Sequence, residues 1–364
     1  MVPTLGAYLH QIDPFVIRFF GDFGIRWYGV SYLWGFFLGY LLVHRIVAVG
    51  RTTVKKEEVV DLIMCLAMGV VIGGRLGFVL FYQPALIAEF SSSFPFWGVL
   101  AINQGGMASH GGMIGGIVAS YLYARYGRHS WSHLLDLFAF GTPLGLFFGR
   151  IANFVNGELY GRVCPPNFRF AVQFPQEIMT WSPSDPRFNT LIDALPAPIR
   201  ANWSQLTFDN MNKLYEILIA QQRLHNPDVI AAMRQVLPTR YPSQLFEAVL
   251  EGLVVFGVLA IIWWKPRKPL VIGASFGITY GIVRILGEFY RMPDHYLLKQ
   301  EFQWFGVTRG QWLSVLLVLA GVVLMIVALR RKVEPMGGWR RMASPKPDAI
   351  STNDAKPGTD SPSI

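Results

Sequence analysis

Long unbroken apolar blocks constrain this chain more than any other feature of its sequence. Runs of roughly 18 to 25 apolar residues can cross the hydrocarbon core of a bilayer. Seven are recognisable, at about 27 to 43, 59 to 82, 104 to 124, 134 to 153, 243 to 264, 270 to 289 and 311 to 329. Only 15% of the residues are charged, against about 25% in a soluble domain. The expected fold class is an all-α integral membrane protein with seven transmembrane helices.

Basic residues then set an expected orientation. Arg45, Arg51, Lys55 and Lys56 follow the first block, Arg125 and Arg128 the third, Lys265, Arg267 and Lys268 the fifth, and Arg330, Arg331 and Lys332 the seventh. The positive-inside rule puts these connections in the cytoplasm, so the N-terminus is expected outside and the C-terminus inside. The first block opens on Trp27 and Tyr28 without a small-residue cleavage site, which reads as a retained anchor. The domains expected are an outer interfacial segment over 1–26, spans one to four over 27–153, a small extracytoplasmic subdomain over 154–242, spans five to seven over 243–333, and a disordered cytoplasmic tail over 334–364. Within the subdomain, stretches near 187 to 195 and 207 to 236 read as helices.

The net charge of +9 would suggest nucleic acid in a soluble protein, but the basic residues flank apolar blocks and no nucleic-acid motif accompanies them. Cys65 and Cys164 make no disulfide framework and read as packing residues. No metal, nucleotide or other cofactor motif occurs. Gly273-Ala274-Ser275-Phe276-Gly277 matches a nucleophile-elbow pattern but lies at the cytoplasmic end of an expected helix, without the strand-turn-helix setting that motif needs.

Glycines recur every four residues at Gly69, Gly73 and Gly77, at Gly111 and Gly115, and at Gly141, Gly145 and Gly149. Small residues at that spacing let helix backbones touch. Charges inside spans are costly and turn toward the bundle interior or a cavity. Here they gather at one expected level, the outer one: Arg75, Arg150, Asn153, Arg284 and Glu288 toward outer helix ends, with Tyr28, His110 and the run from Tyr241 to Gln244 beside them. Tyr280, Arg284, Glu288 and Arg291 share one helix face. Two arginines on different helices suit a phosphate, because guanidinium forks grip its oxygens bidentately and stay charged when partly dehydrated. Two readings stand for the pair Arg284 and Glu288, an intrahelical ion pair or part of an anion site. Glu247 and Glu251 read as partners for arginines of a neighbouring helix, and Asp61 and Asp136 as caps or anchors. His110, flanked by glycines, is either a packed residue or a catalyst.

The segment Gly149-Arg150-Ile151-Ala152-Asn153-Phe154-Val155-Asn156-Gly157-Glu158-Leu159-Tyr160-Gly161-Arg162 resembles the signature of the bacterial prolipoprotein diacylglyceryl transferase family. Similar too are Trp27-Tyr28-Gly29, Gly73-Gly74-Arg75, the Gly-Gly-Met-x-x-His-Gly-Gly run ending at Gly112, Tyr241-Pro242-Ser243-Gln244-Leu245, and Tyr280-Gly281-x-x-Arg284 followed by Glu288. The resemblance implies transfer of a diacylglyceryl group from phosphatidylglycerol to the thiol of a lipobox cysteine in a prolipoprotein signal peptide. Glycerol phosphate would leave at the outer face of the bacterial inner membrane. It implies Arg150 and Arg284 as phosphate clamps and His110 as general base. It also implies Tyr28, Asn153, Glu158, Gly161, Tyr280, Glu288 and Arg75 as substrate-binding positions. Glu158 or Glu288 is an alternative base. The nucleophile belongs to the peptide, which fits the lack of a nucleophile motif. Ala152 stands where the signature usually has glycine, Phe246 where tyrosine is common, and the stretch from about 176 to 237 exceeds the family core. An organic-anion transporter lined by Arg and Glu is the rival from another class.

Overall fold

A computed structural model describes residues 6–20, 23–49, 51–92, 95–102, 106–201, 203, 207–292 and 308–340. Four long helices come first: α1 (Trp27–Ala48), α2 (Val59–Phe81), α3 (Ser109–Gly127) and α4 (Trp131–Asn156). A polar subdomain follows with α5 (Arg187–Asp193), α6 (Ala197–Arg200), α7 (Phe208–Arg223) and α8 (Pro227–Val236). The chain then returns to the bundle with α9 (Ser243–Ile262), α10 (Val271–Glu288) and α11 (Arg309–Arg330).

Six of these helices, α1, α2, α4, α9, α10 and α11, are long and apolar enough among the described residues to cross a membrane. The third expected span, α3, has 19 residues but is diluted by His110, four glycines at 111, 112, 115 and 116, and its tyrosines. It packs along α2 with the backbones in contact. A Cβ added to Gly115 would lie 2.0 Å from the carbonyl oxygen of Gly69, and one on Gly73 would lie 2.4 Å from that of Gly111. Only glycine permits that approach.

One buried core runs through the bundle and includes α4, α9 and α10. Phe140 and Trp263 are buried with rings 5.1 Å apart, edge to face, among Leu134, Leu137, Leu259 and Ile272. Asp136, expected as a cap, does cap a helix, though not its own. Its carboxylate accepts the N–H groups of Leu270 and Gly273, both at 2.8 Å, closing the start of α10. Outward faces are apolar instead: Leu313, Leu316 and Val323 of α11 are more than half exposed. Such stripes suit a lipid surface rather than water.

The expected all-helical architecture gains two small sheets. β1 (Tyr8–Leu9) pairs in parallel with β4 (Val172–Gln173), and β2 (Phe15–Phe20) pairs antiparallel with β3 (Phe23–Arg26) just before α1. β1 places Leu9 inside a separate core with Phe188, Leu191, Leu214, Leu218, Val229 and Met233. Leu9 of the N-terminal segment is thus part of the subdomain core. The two-residue strands β1 and β4 leave no period-2 pattern long enough to read.

The stretch expected as a tail is held at its start. Met336 bridges Arg267, the Gly337 N–H donates to Arg51 O at 2.6 Å, and Trp339 meets Trp264 edge to face at 4.4 Å while donating to Ala260 O. Regular contacts therefore continue beyond Glu334, because Trp339 packs against Trp264 at the end of α9. Residues 341–364 lie outside the described residues.

Candidate functional site

The signature segment is a helix ending. α4 stops at Asn156 because Gly157 takes a left-handed conformation, φ 68°, a cap that glycine adopts at little cost. Its N–H returns to Phe154 O and the Glu158 N–H to Asn153 O, so the chain folds back over the last turn. Arg150 and Asn153 are thereby held on that turn, with Glu158 brought beside them. Gly161 then passes between two other segments. It donates to Tyr241 O at 3.0 Å, and an added Cβ would stand 2.5 Å from that oxygen and 2.7 Å from Tyr290 O.

Arg150 on α4 and Arg284 on α10 meet over two carboxylates of α9. Arg150 donates from Nε and Nη2 to Glu251 Oε2 at 3.1 and 2.9 Å, and its Nη1 lies 2.9 Å from Glu247 Oε2. Arg284 Nη1 reaches Glu247 Oε1 at 2.9 Å and Glu251 Oε1 at 3.3 Å, and its Nη2 lies 3.5 Å from Glu288 Oε2. The two carboxylates of α9 are 1% exposed and the guanidiniums 14% and 15%. An unpaired carboxylate at that burial would cost on the order of several kcal/mol, so each arginine stabilises the burial of both acids. The segment Ala248–Val254 is π-helical and carries Glu251, a local widening often found at functional positions. Glu288 also accepts from Thr308 Oγ1 at 3.2 Å, at the start of α11.

A second network adjoins the first through α4. Asn153 Nδ2 donates to the Tyr28 hydroxyl, which donates to Glu158 Oε2 at 2.9 Å. Gln244 Nε2 fixes the Glu158 backbone by donating to its carbonyl at 2.6 Å. Burial pushes the Glu158 carboxyl above its ordinary range, with the Tyr28 hydroxyl acting in the opposite sense. Tyr280 stacks on Phe276 one turn before Arg284.

The remaining sequence candidates sit differently. Arg75 is buried and engaged with backbone: Nε donates to Val99 O at 2.7 Å, Nη2 to Gly98 O at 2.6 Å and Nη1 to Gly106 O at 3.0 Å. With Gly74 O accepting the Ala108 N–H, it fixes the backbone leading into α3. His110, in the first turn of α3, is exposed and its side chain makes no hydrogen bond among the described residues. The structure therefore gathers Arg150, Arg284, Glu288, Tyr28, Asn153 and Glu158 into two linked networks, packs Gly161 beneath them, and leaves His110 outside both.

Sequence reasoning missed one functional support. Arg240 and Glu177 form a buried bidentate pair at 2.5 and 2.7 Å, and Arg240 Nη1 donates to Gly161 O at 3.0 Å. No helical spacing links residues 63 apart, so only the fold reveals it. Phe246, in place of tyrosine, joins an aromatic cluster with Phe168, Tyr241 and Tyr290 at centroid distances of 5.5 to 6.5 Å. A hydroxyl at that position is replaced here by ring packing.

Comparison with known sequences adds to this geometry. The family model described as prolipoprotein diacylglyceryl transferase matches residues 14–327. A Bdellovibrio bacteriovorus protein named phosphatidylglycerol–prolipoprotein diacylglyceryl transferase is 44% identical over 345 residues, covering 92% of this chain and 97% of that protein. Proteins of the same name from Burkholderia thailandensis and Burkholderia orbicola are each 36% identical, covering 88% of this chain and 96% of theirs.

Proposed function

The chain belongs to the prolipoprotein diacylglyceryl transferase family, and from that premise we propose how it moves a diacylglyceryl group from phosphatidylglycerol to a prolipoprotein. It is a transferase of a multi-pass membrane type, and the organic-anion transport reading has no support among its relatives. The acceptor is the lipobox cysteine of the signal peptide. Its sulfur attacks the glyceryl carbon that bears the phosphate, the carbon–oxygen bond breaks, and glycerol phosphate leaves with both bonding electrons. The thiol proton passes to a base.

The observation that carries the reading is the convergence of Arg150 and Arg284 beside Tyr28, Asn153 and Glu158. Each guanidinium has five N–H donors, so both keep donors free for phosphate after binding the glutamates. Charge develops on the leaving phosphate, and donors aimed there are worth most in a water-poor site. Tyr28 and Asn153 offer hydrogen bonds to the glycerol head group. His110, exposed at the start of α3, serves as base for the incoming thiol, since an imidazole nitrogen can accept its proton. The site lies toward the outer leaflet of the bacterial inner membrane, α3 joins the six other long helices as a span to make seven, the N-terminus is outside, and α5 to α8 form an extracytoplasmic cover.

Purified protein in detergent, given phosphatidylglycerol and a lipobox peptide, should add a diacylglyceryl mass to the peptide and release glycerol phosphate. A cysteine-to-serine peptide should gain nothing. Arg150→Gln and Arg284→Gln should each lower the rate by about a hundredfold or more, and unimpaired transfer in both would overturn the clamp.

A further inference from the structure

An arginine pair left to itself would grip the most highly charged phosphate hardest, but this pair is not left to itself. Glu247, Glu251 and Glu288 all pair with Arg150 or Arg284. Three carboxylates against two guanidiniums leave one negative charge in excess when all are ionised. The two acids of α9 lie between the arginines and bond to both. They therefore do two things at once. They hold like charges side by side, and they cancel most of the attraction those charges would exert on an anion.

Resting on the reading of the arginines as the head-group clamp, we infer that Glu247 and Glu251 set the charge selectivity of the site, admitting a singly charged phosphodiester and expelling a doubly charged phosphomonoester. The lipid substrate is the former. The glycerol phosphate product is close to the latter at neutral pH, because the second ionisation of a phosphomonoester falls near pH 6. Hydrogen bonds from the spare guanidinium N–H groups remain to recognise the diester. Among the described residues the Nε–H of Arg284 has no acceptor, so geometric recognition survives the loss of net positive charge. The transferred group changes the ligand by one charge, and the site responds to that change. Cleavage itself thus generates the repulsion that clears the product.

The test uses full-length protein with phosphatidylglycerol and a lipobox peptide, comparing wild type with Glu247→Gln and Glu251→Gln. The amide keeps the size of the carboxylate and removes one negative charge. That charge step, at hydrogen-bonding range and partly screened, is on the order of tenfold in affinity per unit of ligand charge. Inhibition by glycerol phosphate should therefore strengthen about tenfold more than the KM for the lipid falls, with kcat reduced as release slows. The monomethyl ester of glycerol phosphate, a monoanion, should tighten only as much as the lipid. Glu288→Gln, at the edge of the cluster, makes the same charge step if either α9 variant fails to fold. Equal tightening of the dianion and its methyl ester, or no tightening in active variants, would overturn the inference. If Arg150→Gln and Arg284→Gln abolish transfer while those ratios stay fixed, only this inference fails. If the arginine variants transfer normally, the clamp reading fails with it.

Discussion

Replacing Glu177 with alanine should loosen the subdomain from the signature segment by an amount the structure lets us work out. Glu177 and Arg240 have side chains 7% exposed and are joined by two parallel hydrogen bonds at 2.5 and 2.7 Å. Removing one member of a buried pair costs about 3–5 kcal/mol, because the survivor stays charged and unpaired. At 1.4 kcal/mol per tenfold, local opening should rise by roughly 100-fold to over 1,000-fold. The reporters lie within the contact: the Arg240 and Val172 amides donate to each other's carbonyls at 2.8 and 3.0 Å. Amide exchange at these two positions should accelerate by that factor. Amides inside α7 and α8, which have their own core around Leu214 and Met233, should change little. The double variant Glu177→Ala with Arg240→Met should recover most of the protection, since it leaves no lone charge. Protection of Val172 and Arg240 unchanged within about threefold in Glu177→Ala would refute the reasoning, because the pair would then not be what holds the contact.

Three other outcomes are expected. His110→Ala should depress transfer most at neutral pH and recover in part at alkaline pH, where the peptide thiol ionises unaided; absence of any recovery would assign His110 a structural role. Gly161→Ala should cost about 1–3 kcal/mol, seen as a lower unfolding temperature in detergent, because its Cβ would stand 2.5 Å from Tyr241 O. His10, 1% exposed, is pushed down by burial to about 4 from 6.5. Its folded form resists protonation more than its unfolded form, so stability is full above about pH 6.5 and falls by about 3 kcal/mol as pH drops to 4. A His10→Asn variant should flatten that part of the stability curve, and an unchanged slope would assign the acid sensitivity to other groups.

Six of the seven expected spans coincide with helices long and apolar enough to cross a membrane, because bilayer thickness fixes the length of such blocks, and the observed helices keep to the blocks within a few residues at most ends. α1 runs five residues past its expected end at 43, since Arg45 and His44 tolerate the helix as well as Leu41 does. α3 starts at Ser109 instead of 104, and its glycines serve the contact with α2. The helical stretch expected over 207–236 is two helices, broken where His225 takes φ 59° and Asn226 caps α8. At the site, the arginines and Glu288 could be placed at one level from helix ends alone. The partnership of Glu247 and Glu251 with both arginines was readable as a tendency, from the i, i+4 spacing. Its full form, each acid shared by two helices, depends on how α4, α9 and α10 cross. The partners of Arg75 were not readable from spacing: its donors reach the carbonyls of Gly98, Val99 and Gly106.

The pairing of β1 with β4 joins residues 8 and 9 to residues 172 and 173. Leu9 cannot enter the subdomain core until the four helices between have been made and threaded. At a synthesis rate of roughly 5–20 residues per second, the first strand must wait on the order of ten seconds for its partner. During that interval the hairpin before α1 and the β1 strand have no core to join. The subdomain core therefore takes in the earliest synthesised strand only after the four helices between have been made, and before α9 to α11 follow.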